Sequence, residues 1–272
     1  MAVDKSIYKI FKRGSKTYFY SSIFFPEPMK SDVFILYSFV RKADDFVDEI
    51  PQRADEFYRF WEAYKAALAG TKSNDLVINL FLDLLHRRSF DPEWVNAFMN
   101  SMEMDLEKNT YNTIEETKEY MYGSAEVIGL FMSRIMGLPD ESLPYAQMQG
   151  RSMQYINFIR DIDEDNSLGR TYLPLKGTNL FSLKREETES KREEFVGFIR
   201  DQIDLYRGWQ KEASKGYEYI RKRYLIPIKT ASDMYGWTAG QIYRDPFLVY
   251  KRKMKPRIPR IIGAIIGNSI TL

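Results

Sequence analysis

Residues 153–174 restrict the fold more than any other stretch of the chain. Gln154, Asn157, Asp161, Glu164 and Asp165 recur at steps of three and four, so a helix gathers them into one polar stripe. Met153, Ile156, Ile159 and Ile162 interleave at similar spacing and supply an apolar face for neighbouring helices. Carboxylates stacked one turn apart repel each other unless a cation sits between them. Hard oxygen donors of this kind suit Mg²⁺, or Mn²⁺ in its place, bound together with substrate phosphates. Taken alone, the stripe fits a solvated acidic helix end better than a metal site.

A second stripe changes that balance. Tyr37, Arg41, Asp44 (or Asp45) and Asp48 again step by three and four, beside an apolar row of Val33, Leu36, Val40, Ala43 and Val47. A carboxylate row that borders a core-facing row points into a cavity rather than into bulk water. Two facing helices with Asp pairs at i,i+4 can hold a cluster of Mg²⁺ ions between them. Arg41 and Arg160, one turn before Asp45 and Glu164, add positive charge where a polyanion would dock. Diphosphate is the natural candidate.

The rest of the composition narrows the field. The 272 residues suit one large domain with a sizeable core. Forty Lys+Arg against 38 Asp+Glu leave a net charge of +2, which gives no support to nucleic-acid binding and makes any anion site local. There is no Cys and one His, so thiol nucleophiles, Cys-based zinc sites and His-based triads are excluded. The lack of Cys, together with an N-terminus that carries no signal-peptide-like apolar core, fits a cytoplasmic protein. Aromatic residues are abundant, with 19 Tyr and 18 Phe, more than core filling requires.

Along the chain, Ser15, Lys16, Thr17 and Tyr18 are donors that can hold phosphate oxygens or cap a turn. Ser31 or Asp32 is expected to cap the first Asp-rich helix, and Pro51 to end it. Residues 55–69 predict an aromatic amphipathic helix stopped by Gly70. Asn74 is expected to cap the next, which runs to about Arg88, with His86, beside Arg87 and Arg88, as a surface cation at its end. Asp91-Pro92 starts another helix, running to about Lys108. Thr113 and Glu116 form a capping box opening a long helix that Gly137 terminates. Its small residues at 123–125 and 129 allow either close packing or room for a ligand. Further helices are expected near 190–218 and from about 225, the latter carrying Tyr235 and Tyr243. The tail is basic (Lys251–Lys255, Arg257–Arg260) and then apolar (Ile261–Ile266), as a peripheral contact with an anionic membrane requires, although a plain packed terminus fits too. No strand alternation is seen. The fold class is all-α, a single-domain helical bundle with a central cavity.

These residues resemble a known family. Asp44-Asp-Phe-Val-Asp48 and Gln154-x-x-Asn157-x-x-Arg160-Asp161-x-x-Glu164-Asp165, followed by Gly169-Arg170-x-Tyr172-Leu-Pro, are similar to the signatures of squalene/phytoene synthases. Met102-Glu-Met-Asp-Leu106 and Tyr120-Met-Tyr-Gly-Ser-Ala match further blocks in the right order, so the likeness covers roughly residues 14–240. The Arg-Thr-Tyr-Leu-Pro ending looks more like phytoene synthases. Gly14 departs from the pattern, since some relatives carry His there, and the region after Tyr235 matches only loosely.

The resemblance implies an isoprenoid-synthase-type bundle and a head-to-head condensation of two prenyl diphosphates through a cyclopropyl diphosphate. It implies metal ligation by Asp44, Asp48, Asp161 and Asp165, with Asp45 and Asn157 beside them. It also implies diphosphate contacts from Ser15, Thr17, Tyr18, Tyr37, Arg41, Gln154, Asn157, Arg160, Arg170, Tyr172 and Tyr235. Two geranylgeranyl diphosphates giving phytoene lead the readings. Squalene or dehydrosqualene synthesis from two farnesyl diphosphates follows, with NADPH needed only for squalene. A non-catalytic interaction protein on the same fold is the different-class rival. The oligomeric state is not legible.

Overall fold

The computed structural model describes residues 4–14, 19, 22, 25–251 and 254–272, and these are helical almost throughout. Helix α1 (Lys5–Gly14) lies on α2 (Met29–Asp48), which carries the first acidic stripe. The expected cap of α2 is not used. Pro28 stands at the N-cap without a side-chain bond, and Asp32 falls within the helix, buried. Its carboxylate instead accepts hydrogen bonds from Arg87 (2.9 Å) and Arg88 (2.8 Å). Those two residues staple the end of one helix to the start of another. A carboxylate removed from water this thoroughly needs two such donors.

Helix α3 (Ala54–Leu68) stops before Gly70, whose φ of +100° suits a residue with no Cβ. Helix α4 (Leu76–Arg88) is capped by Asp75 rather than Asn74: Asp75 accepts from the backbone N–H groups of Val77 and Ile78 and pairs with Lys42 of α2. Helix α5 (Pro92–Glu107) starts as expected, with Asp91 accepting from Glu93 N–H. Thr113 caps α6 (Ile114–Met121) through Glu116 N–H, while the Glu116 carboxylate takes Asn112 N–H and Lys108 in place of the reciprocal capping-box bond.

The long helix expected from Thr113 to Gly137 is interrupted. A π turn at Tyr122–Glu126 separates α6 from α7 (Val127–Met136). Its small residues serve packing: a Cβ on Gly123 would sit 2.0 Å from the Ala97 carbonyl oxygen, and one on Gly129 would sit 2.0 Å from that of Ala146. The second acidic stripe is likewise two helices, α8 (Leu143–Arg160) and α9 (Ile162–Ser167), broken at Asp161. Helix α10 (Arg185–Ser190) and the long α11 (Arg192–Ser214) follow, and α11 packs along α8. Helix α12 (Lys222–Arg244) carries Tyr235, the short α13 (Leu248–Lys251) comes next, and α14 (Ile258–Thr271) lies on α12.

Among the described residues two large hydrophobic cores result, with a small third cluster between α12 and α14. One joins α1 to α5 with α7; the other joins α6, α8, α9, α11 and α12 with the loop after α9. Helix α7 touches both α2 and α8, and the two polar stripes approach each other where Arg170, just after α9, bonds Asp48 of α2. No helix among the described residues is long and apolar enough to cross a membrane.

Candidate active site

The apolar row of α2 commits Val33, Leu36, Ala43 and Val47 to the core, which leaves Tyr37, Arg41, Asp44 and Asp48 half-exposed on the adjacent side. On α8 and α9, Ile156, Ile159 and Ile162 are buried in the same way while Gln154, Asn157, Arg160, Asp161 and Asp165 are half-buried. Glu164 projects to solvent.

The carboxylates of the two stripes feel one another. Burial first, and then Asp48, push Asp44 up to about 8, against the pull of Arg41. Burial, followed by Asp161 and by Asp48 from the other stripe, holds Asp165 well above the ordinary carboxylate range. Both groups therefore cost free energy as anions until positive charge arrives.

Arginines now supply that charge. Arg41 donates to Asp44 at 2.9 Å and pairs with Asp45 as well. Arg160 forms a two-point bond with Asp161, the Nε contact being 2.9 Å. Arg170 donates to Asp48 at 2.7 Å. With these oxygens engaged, no three acidic groups among the described residues stand ready as a cation cage. The donor chemistry nevertheless fits a hard cation, because Asn157 Oδ1, one turn before Asp161 on the same stripe, is buried with no hydrogen-bond partner.

Arg170 and Tyr172 lie beneath the stripe rather than in it. Gly169, at φ +72°, ends α9 and turns the chain so that Arg170 N–H reaches Asp165 O at 2.8 Å. The Arg170 side chain is 4% exposed and spends Nη2 on the Val47 and Asp105 carbonyls, at 2.7 and 3.3 Å. Tyr172 stacks on Phe158 and donates to Asp105 at 2.6 Å. The expectation that both touch diphosphate directly is at odds with this burial. A guanidinium fully engaged below Asp48 holds that carboxylate in place.

Asp105 and Tyr120 were not among the expected site residues. Asp105 is buried, accepts the hydroxyls of Tyr120 and Tyr172 (2.6 Å each), and is raised to about 6, first by burial and against the pull of Arg170. The signal was present in the sequence: Asp105 continues the buried row Val95, Phe98, Met102 of α5, where an isolated acid needs partners.

Tyr37 stacks on Phe11 with ring centroids 4.0 Å apart, and its ionisation is opposed by burial and coupled to Tyr235 across the site. Its hydroxyl lies 2.1 Å from where a Cβ on Gly14 would be, so any larger residue at 14 would require the Tyr37 ring to shift. Tyr243 lies apart from the stripes, with Arg200 and Arg207 over its ring. Ser15, Lys16, Thr17 and Tyr18 fall outside the described residues. Clefts of about 430 and 840 Å³ elsewhere contain none of the acidic residues of the stripes.

The family model for squalene/phytoene synthases matches residues 11–261, which takes in both stripes and the Gly169–Pro174 turn. The chain belongs to the squalene/phytoene synthase family. As a squalene/phytoene synthase it is a prenyltransferase of that type. It is 25% identical to a 15-cis-phytoene synthase of Synechococcus elongatus over 256 residues, covering 87% of this chain and 80% of the relative. It is 28% identical to a phytoene synthase of Pseudescherichia vulneris, covering 82% and 76%. Among solved structures it resembles a dehydrosqualene synthase bound to a ligand (TM-score 0.84, 18% identity, 97% and 94% coverage). It also resembles a squalene synthase from Alicyclobacillus acidocaldarius (TM-score 0.80, 20% identity, 89% and 94% coverage). At these identities the structural likeness concerns the all-α isoprenoid-synthase-type fold.

Proposed function

We propose that the chain, working as one catalytic unit, condenses two geranylgeranyl diphosphates head to head into phytoene. The observation that carries this reading is the approach of the two Asp stripes, where Asp48 from α2 raises Asp165 from α9 and arginines flank both. The relatives named phytoene synthase support the C20 substrate over the C15 one.

Asp44, Asp48, Asn157, Asp161 and Asp165 would hold Mg²⁺, with Asp45 at the margin, and a cation held there would supply charge neutralisation for a departing diphosphate. Arg41 and Arg160 are placed to exchange their present carboxylates for the diphosphate and donate to its oxygens. Gln154, Tyr37 and Tyr235 add donors from three helices. Beneath them, Arg170 fixes the direction of Asp48, and Tyr172 and Tyr120 fix Asp105. The allylic cations would need to be kept from water, and aromatic faces would attract them. The first cation adds to the second substrate's double bond, and loss of a proton from the adjoining carbon, to the released diphosphate, closes the three-membered ring of the cyclopropyl diphosphate. A second ionisation rearranges that intermediate to the 1-1′ linked chain. Proton loss to the released diphosphate ends the reaction without a reductant.

Product analysis decides the matter. The purified protein with geranylgeranyl diphosphate and Mg²⁺ should yield a C40 hydrocarbon that is unchanged by NADPH, and farnesyl diphosphate should react more slowly because it fills less apolar surface. A preference for farnesyl diphosphate with NADPH-dependent squalene would replace the phytoene reading. Absence of any condensation would favour a binding protein on this fold.

A further inference from the structure

Helix α14 is apolar on two sides, and only one of them is used. Ile261 and Ile265 are buried against Met234 of α12. Asn268 donates to Asp233 at 2.8 Å and to Thr230 at 3.2 Å. That buried polar contact fixes the rotation of α14 about its own axis, since any other setting would strand the amide. A neighbouring flank, roughly a third of a turn round the helix, then presents Ile258, Ile262, Ile266 and Ile270, exposed by 38, 49, 56 and 79%. At steps of four they form one ridge, roughly 18 Å long. A single exposed isoleucine needs no explanation; four in a row on a helix held in fixed rotation do.

Charge says what covers the ridge. From Pro246 to Leu272 the chain has no acidic residue, while Lys251, Arg252, Lys253, Lys255, Arg257 and Arg260 precede or open the helix. Arg252 and Lys253 lie outside the described residues. A second copy of this face would set like charges against each other. A surface of anionic headgroups above hydrocarbon satisfies both features at once. We propose that α14 docks this protein in the plane of an anionic lipid bilayer, with the isoleucine ridge entering the headgroup boundary. Helix α12, on which α14 lies, also carries Tyr235, coupled to Tyr37. Docking therefore sets the candidate site one helix away from the phase in which prenyl chains partition. Only this last consequence rests on the reading of the substrate.

Sedimentation of the full chain with vesicles tests the proposal without any substrate. Phosphatidylglycerol–phosphatidylcholine vesicles should bind it and pure phosphatidylcholine should bind it far more weakly, with added salt weakening the former. Arg257→Gln should lower the partition constant roughly fivefold. Ile262→Glu with Ile266→Glu should lower it by at least about tenfold through lost apolar contact and added repulsion. These positions are solvent-facing, so the urea unfolding midpoint and C40 synthesis from detergent-dispersed substrate should be unchanged. Equal binding to neutral and anionic vesicles, or none to either, would overturn the proposal. So would a parent that self-associates in sedimentation equilibrium and becomes monomeric in the double variant without ever binding lipid.

Discussion

Replacing Arg170 by Met separates a residue that positions Asp48 from one that grips substrate. The guanidinium is buried, with Nη2 on Val47 O at 2.7 Å and more loosely on Asp105 O at 3.3 Å. A charge-assisted bond to a carbonyl contributes about 1.5–3 kcal/mol, so the short one and the long one together contribute about 3. Both carbonyls also accept Gln52 Nε2 at 2.8 Å, so neither is left bare and no further orphan cost is added. The Asp48 ion pair adds only about 0.5 kcal/mol, because that carboxylate is 38% exposed and rehydrates. Arg170→Met should therefore cost roughly 3 kcal/mol, a fall of roughly 6–10 °C in Tm. In catalysis it should lower kcat roughly a hundredfold through misplacement of Asp48, raise the Mg²⁺ concentration for half activity, and leave KM nearly unchanged. Arg170→Lys, which can satisfy one of the partners, should fall between. Urea and thermal unfolding with steady-state kinetics measure all of this. A Met variant with unchanged Tm and a raised KM at constant kcat would refute the positioning role and return Arg170 to direct diphosphate contact.

The acidic stripes give a second test. The folded state raises the Asp44 pKa above its unfolded value, so the native chain binds that proton more tightly. Stability without divalent metal is then greatest at low pH and declines as pH climbs from about 4 to about 8. The decline attributable to Asp44 is about 1–2 kcal/mol once its partial exposure is discounted. Asp44→Asn should flatten that profile in EDTA without loss of folding, while removing activity by several orders of magnitude; EDTA should abolish parent activity and Mg²⁺ restore it. A steeper profile in the Asn variant would contradict the sign. Packing gives a third: Gly129→Ala drives a Cβ to 2.0 Å from a backbone oxygen and should cost roughly 3 kcal/mol in urea unfolding. Gly208→Ala, with open space around it, should be neutral or stabilising by about 0.5 kcal/mol.

What local chemistry controls was legible in the sequence. The apolar row beside Asp44 and Asp48 specified α2 and the direction of its core face, because helical period and burial are properties of neighbours in the chain. Gly70 and Gly137 ended helices, since positive φ is cheap only there. Asp91-Pro92 began one. Caps were less secure: whether Asn74 or Asp75 closes α4 depends on which residue adopts extended backbone, and the ion pair with Lys42 favours Asp75.

Tertiary structure decided the partners. Asp32 resembled a cap because no local pattern reveals two arginines some 55 residues away that meet it in the core. The stripe from Gln154 to Asp165 read as one helix, yet it breaks at Asp161. Arg170 and Tyr172 shared a motif with the acidic residues and so were expected beside them at the substrate. The left-handed turn at Gly169 sends both beneath the site, where Asp48 and Asp105 collect their hydrogen bonds. Periodicity reports which side of a helix is wet or dry. Whether a polar side chain on it faces a ligand or another buried charge depends on what folds against it, and that is long-range information that no stretch of this chain carries by itself.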